Sequence, residues 1–225
     1  MGNICYSCTR HSTPSAEFGI QLLKPTQRTV LLLGEGNFSY ALARVRYHLS
    51  KQNQGHLNLI ATSFDSHKEL CEKYPESVQI LSKLNHLNEK KDADCRVSVL
   101  HRVDATRIKE TLTEEALSQL TGVDEITFCH PHIGSEWLRL NSSLVAHFFH
   151  SAKQLNPSVI QVTLLKDQYE RWMIPKVEKL NGLRQLGMFN IESTLYQPEY
   201  GYKTRRHQSG KSFTTNKVGK QGFSI

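Results

Sequence analysis

The chain has 225 residues, of which 38% are hydrophobic and 22% charged; this leaves room for one sizeable α/β domain and does not match a disordered segment. No run of 18 apolar residues occurs, so no membrane-spanning helix is expected, and five scattered cysteines behind a start without an apolar leader lead us to expect a reducing, intracellular compartment. The excess of 28 Lys and Arg over 21 Asp and Glu gives +7, a balance that suits a polyanionic partner.

Residues 1–27, with Ser12, Thr13, Pro14, Ser15 and Pro25 and little apolar periodicity, read as a flexible lead-in. Cys5 and Cys8 have zinc-ligand spacing, but no second pair completes four ligands, so no metal site is expected. Met1-Gly2-Asn3 has the start of an acylation signal, yet Tyr6 stands where Ser or Thr is required. From residue 28 to 225 a single domain is expected. Thr29–Leu33 is a continuous apolar run, as a parallel strand covered on both faces requires. It stops at Gly34, after which Phe38, Ala41, Leu42, Val45 and Leu49 recur at helical spacing.

The strand–helix unit then repeats. Leu57–Thr62 reads as a strand, Ser66–Asn88 as helix broken at Pro75, Arg96–Val103 as a strand and Thr106–Leu120 as helix. Val123–Cys129 is a further strand, Asn141–Leu155 a helix, Val159–Leu165 a strand and Tyr169–Leu180 a helix. Leu183–Ile191 reads as a sixth strand, with Lys211–Thr215 and Gly222–Ile225 as an antiparallel edge or hairpin. Alternation of this kind specifies a Rossmann-like α/β fold: a mostly parallel sheet with helices on both faces and an antiparallel carboxyl-terminal edge. In the terminal segment 196–225, Lys203, Arg205, Arg206, Lys211, Lys217 and Lys220 face Glu199 alone. Lys203, Arg205, Arg206 and Lys211 are the candidates for contacting RNA phosphates, although a solvated basic tail reads equally well from charge alone.

In open α/β sheets ligands sit beyond the carboxyl ends of the strands. Those ends carry Gly34-Glu35-Gly36-Asn37-Phe38-Ser39, then Thr62-Ser63-Phe64-Asp65, Val103-Asp104-Ala105-Thr106 and Cys129-His130-Pro131-His132. Glycines 34 and 36 let a cofactor approach the backbone. A dinucleotide needs its pyrophosphate at the helix start, where this turn carries Glu35 and has Ser39 in the place of the third small residue. S-adenosylmethionine, cationic and without phosphate, suits an acidic turn better. Asp65 is placed to accept hydrogen bonds from the ribose hydroxyls, and Asp104 with the Ala105 backbone to hold the adenine edge. Carboxylates that only cap helices are the plain alternative. Trp137 and Trp172 read either as base-stacking rings or as core.

The same residues, with Ala61-Thr62-Ser63-Phe64-Asp65, Pro131-His132-Ile133-Gly134, Phe148-Phe149-His150-Ser151-Ala152 and Val162-Thr163-Leu164, resemble the eukaryotic rRNA uridine-N3 methyltransferase-like domain, in order from about Thr29 to Phe213. Gly201-Tyr202-Lys203 and Lys211-Ser212-Phe213 are similar to the amino-terminal domain of the ferredoxin-fold anticodon-binding domain-containing protein. The resemblance implies a class I methyltransferase fold, S-adenosylmethionine as donor, ribosomal RNA as acceptor and action in the nucleolus or cytoplasm. Three positions depart from the family pattern: Cys129-His130 replaces its Asn-Phe, and Asn37 its Asp. His132 is then the expected catalytic base for the uridine imide, since a neutral imidazole can take a proton near neutral pH. Asp104 is its rival, and a His132 that only caps the following helix or orients the loop is the plain alternative. A non-catalytic module that binds RNA or protein is the alternative function.

Overall fold

The computed structural model describes residues 3–10, 27–51, 55–89, 94–190, 195 and 199–203. Seven strands form one sheet: β1 (Asn3–Arg10), β2 (Gln27–Leu33), β3 (His56–Thr62), β4 (Cys95–Leu100), β5 (Glu125–Phe128), β6 (Val159–Leu165) and β7 (Leu183–Asn190), in the spatial order β4-β3-β2-β5-β6-β1-β7. The five central neighbours pair in parallel, with Leu31 opposite Ile60 on one side and Ile126 on the other. The apolar run of β2 thus sits at the middle of a sheet buried on both faces, as its composition requires.

Because side chains alternate along a strand, Leu31 and Leu33 enter one core and Val30 and Leu32 the other. The first core is closed by α6 (Leu138–Lys153), whose Phe148 and Phe149 pack under Ile126, Phe128 and Ile160, and by α8 (Ile174–Leu180). The second is closed by α1 (Ser39–Ser50) and α3 (Ser77–Glu89), through Ala41, Val45, Leu81 and Leu84. Each fully buried side chain of this size contributes about 1.5–3 kcal/mol. Glu125 opens β5 wholly buried, accepting bonds from Arg28 on β2 at 2.6 Å, Arg44 on α1 at 2.9 and 3.0 Å, and Thr127 at 2.8 Å. Burial pushes its carboxyl up, but the two guanidiniums and Thr127 outweigh this and hold it below the ordinary range.

The helical stretch over Ser66–Asn88 breaks at Pro75 as expected, into α2 (His67–Lys73), with a Ser66/Glu69 capping box, and α3. Two other elements differ from the sequence reading for local reasons. The helix expected over Thr106–Leu120 is two short ones, α4 (Ile108–Thr111) and α5 (Glu114–Gln119), because the Thr113 side chain accepts from the Ala116 N–H and caps a new start. That expected over Tyr169–Leu180 is α7 (Lys166–Arg171) and α8, parted by Met173 at φ 53 and restarted at Pro175.

The antiparallel character at this end of the sheet enters by an unexpected route. Asn3–Arg10, in the stretch read as a flexible lead-in, form strand β1 and pair antiparallel with β6 on one side and β7 on the other. The segments proposed for a carboxyl-terminal edge, Lys211–Thr215 and Gly222–Ile225, lie outside the described residues, as do residues 11–26.

Candidate functional site

Strand order reverses at β2, from which the chain builds outward to β3 and β4 before crossing to β5 and β6. The crevice beyond the carboxyl ends of β2 and β5 is therefore the place where such sheets bind ligands. Backbone bonds gather the strand ends there: Glu35 N–H donates to Thr62 at 2.9 Å, Val103 N–H to Ser63 at 3.0 Å, and Cys129 N–H to Leu33 at 2.8 Å. All four segments named from the sequence thus meet at one edge of the sheet.

The glycine turn is tightly specified. Gly34 has φ +68, and a Cβ there would lie 2.6 Å from Phe128 Cε2, so this position demands glycine twice over. A Cβ on Gly36 would meet the Tyr74 ring at 3.4 Å, an ordinary contact. Phe38 follows at φ 61, fully buried, its ring edge-on to His101 at 5.8 Å.

Glu35 does not offer its charge to a ligand. It is 4% exposed and turned onto the start of α1, where it accepts backbone bonds from Tyr40 and Ala41 and faces Cys129 Sγ at 3.7 Å. Burial pushes its carboxyl up to about 8, against the smaller opposing effect of those bonds. Asn37, also buried, accepts from Ser39 N–H at 3.1 Å. The first free amides of α1 are therefore taken by side chains of the turn itself. A cofactor bound through phosphate at that helix start would have to displace them.

Asp65 remains partly exposed beside the exposed Phe64 ring, with both carboxylate oxygens on Lys73 Nζ at 2.8 and 2.7 Å. Asp104 accepts from the Thr106 N–H at 2.8 Å and hydroxyl at 2.7 Å, with Arg107 Nε at 3.4 Å. Burial raises its carboxyl, but these partners prevail and keep it below the usual carboxylate range. It is held as an anion, a poor taker of protons near neutrality, and this weakens its claim to be the base. Ala105 beside it is buried.

After β5 the chain turns at His130, φ 48, whose N–H donates to Thr163 Oγ1 at 2.6 Å and whose Nε2 meets Tyr202 Oη at 2.7 Å. Burial drives this imidazole down to about 4, so it is neutral at physiological pH. His132 is oriented differently from what a general base needs. Its Nδ1 accepts from the Gly134 N–H at 2.9 Å, which in the neutral ring leaves the proton on Nε2, 3.8 Å from Glu136 Oε1. Its free edge is thus a donor.

Tyr202 and Lys203 were not among the cofactor-turn candidates, yet the structure brings them to it. Lys203 O accepts from Ser39 Oγ at 2.9 Å and Asn37 Nδ2 at 3.4 Å, while Lys203 N–H donates to Ser39 Oγ at 3.1 Å. Buried Tyr202 stacks edge-on with Tyr40 at 5.0 Å. The local tripeptide Gly201-Tyr202-Lys203 was the only sequence signal for this docking. Lys203 keeps an exposed side chain at the rim; Arg205, Arg206 and Lys211 lie outside the described residues. Among the described residues, no three His, Cys, Asp or Glu side chains gather as a metal site would require, and no helix is long and apolar enough to cross a membrane.

Compared with known families, residues 31–206 match the profile of the BMT5-like family, rRNA (uridine-N3-)-methyltransferase BTM5-like. The chain is also 29% identical over 194 residues to an uncharacterized protein of Arabidopsis thaliana, covering 81% of this chain and 83% of that one. No solved structure matches.

Proposed function

We propose that this chain, which belongs to the BMT5-like family of rRNA (uridine-N3-)-methyltransferases, is an S-adenosylmethionine-dependent enzyme that methylates N3 of a uridine in ribosomal RNA, acting in the nucleolus or cytoplasm. The observation that carries the cofactor choice is the filled start of α1. With its amides on Glu35 and Asn37, the turn offers a phosphate little, whereas bare glycine backbone, Asp65 and Asp104 suit a cofactor made of an amino acid and a nucleoside. Gly34 and Gly36 would border its methionine part, Asp65 the ribose and Asp104 with Ala105 the adenine. When bound, the group supplies an electrophilic methyl.

The protein's part in the reaction is to seat the uracil and manage its charge. N3 becomes nucleophilic only as its proton leaves, and the negative charge then spreads onto the two imide oxygens. His132, with Nδ1 engaged by Gly134, presents Nε2–H as a donor to such an oxygen; stabilising developing charge in this way lowers the barrier without a base. The proton passes to water. This revises the role expected from the sequence: the residue is the same, but it gives a hydrogen bond and does not take a proton.

The test incubates the protein with labelled donor and total RNA and digests to nucleosides, with Gly36→Val as control. Label in 3-methyluridine supports the reading. If no nucleoside gains label above the control, the chain is the non-catalytic module. His132→Gln, which keeps an N–H donor, should retain activity within about 10-fold, while His132→Ala should lose roughly 100-fold or more. Equal losses in both would favour a base.

A further inference from the structure

The structure separates the two tryptophans. Trp172 is 3% exposed within the core, whereas Trp137 is 72% exposed. A large ring left in water on a folded domain marks a contact surface when neighbouring residues share it, and here Ile133, Leu138 and Leu140 are also exposed. The ring is displayed by a fixed backbone. Fully buried Asn141 accepts from the Ile133 N–H at 3.2 Å and donates to the Ser135 and Trp137 carbonyls at 2.7 and 3.1 Å. One side chain thus pins three points of the loop between His132 and α6.

We propose that Trp137 is a stacking platform for an unpaired base of the RNA, next to the nucleotide that enters the site; this rests on the RNA methyltransferase reading. Two observations and the chemistry of base flipping favour a nucleobase. The platform follows His132 within the same pinned loop, so a strand whose base lies at His132 passes it. Exposed Arg139 supplies a cation for the adjoining phosphate, with Glu136 turned toward His132. A target base must leave any stack to be methylated inside a cleft, and an aromatic face at the rim replaces the lost stacking for its neighbour.

The experiment uses the full chain, an unstructured oligouridylate at fixed salt, and tryptophan fluorescence, with S-adenosylmethionine affinity by calorimetry and thermal unfolding as controls. Oligouridylate should quench the exposed indole. Trp137→Ala should abolish the quenching and weaken RNA binding about 10-fold or more, and Trp137→Phe should recover most of the affinity. Neither variant should change unfolding or cofactor binding, because the Trp137 side chain is mostly in solvent. RNA affinity within twofold of wild type in Trp137→Ala overturns the proposal, as does Trp137-dependent self-association in sedimentation, which would make the patch a protein contact. If wild type binds S-adenosylmethionine but no RNA, this proposal fails and the cofactor assignment stands. If it binds neither, the methyltransferase reading fails as well.

Discussion

Replacing Gly34 with Ala separates the architecture of the turn from its function. The left-handed φ of +68 costs an L-residue about 1–2 kcal/mol. The added Cβ, 2.6 Å from Phe128 Cε2, must push an aromatic ring that is packed on Phe148 at 5.1 Å, and such overpacking costs about 1–3 kcal/mol. Together these predict a loss of about 2–5 kcal/mol, or roughly 10 °C in unfolding temperature for a domain of this size. Urea unfolding followed by circular dichroism reads it directly. Gly36→Ala is the matched control: its φ is not left-handed and its Cβ would touch Tyr74 at 3.4 Å, so stability should change by no more than about 0.5 kcal/mol. The larger Gly36→Val should keep the fold and lose S-adenosylmethionine binding. A Gly34→Ala protein within 1 kcal/mol of wild type would refute the steric reasoning, and a Gly36→Val protein with native cofactor affinity would refute the assignment of the turn.

Glu35 predicts a pH dependence of definite sign. Its folded carboxyl titrates near 8 against an ordinary 4.5, so the native chain holds an extra proton between those values; the associated stability is complete below about 4.5 and lost as pH rises through 8. Glu35→Gln should gain stability relative to wild type by a few kcal/mol between pH 5 and 8, with Glu178, raised by burial to about 7, common to both proteins; a pH-independent difference would sink the idea. Glu125→Ala leaves the largely buried Arg44 guanidinium without its carboxylate, Arg28 being half exposed, and should cost about 3 kcal/mol in chemical denaturation, whereas a loss under 1 kcal/mol would mean that water solvates Arg44 as well.

The sequence was most informative where one residue decides a local conformation. The apolar runs of β2, β3 and β6 needed no partner to be recognised, and Gly34 announced its turn. The helix divisions at Thr113 and Met173 were less legible, since apolar spacing runs straight through both. Strand β1 was missed because its reason lies elsewhere: Asn3–Arg10 is a strand only because β6 and β7 present edges to it. At the site, position was readable and orientation was not. Glu35 and His132 stand where the motifs put them, but only the α1 amides and the Gly134 N–H reveal that one is turned inward and the other has its acceptor nitrogen occupied. Tyr202 reaches His130 across 72 positions, a distance that no local pattern encodes.

Strand β1 also sets an order of assembly. Its partners begin roughly 150 residues later in the chain, so this segment cannot find its place until much later elements have formed, and loop closure over that span must precede any gain from pairing. Until then β6 and β7 carry open edges, of the kind that capture strands from other molecules. A tag or deletion that keeps Asn3–Arg10 from inserting would therefore leave the crevice and its glycine turn intact while making the opposite side of the sheet adhesive. Such a protein would bind its ligand and still accumulate as aggregate.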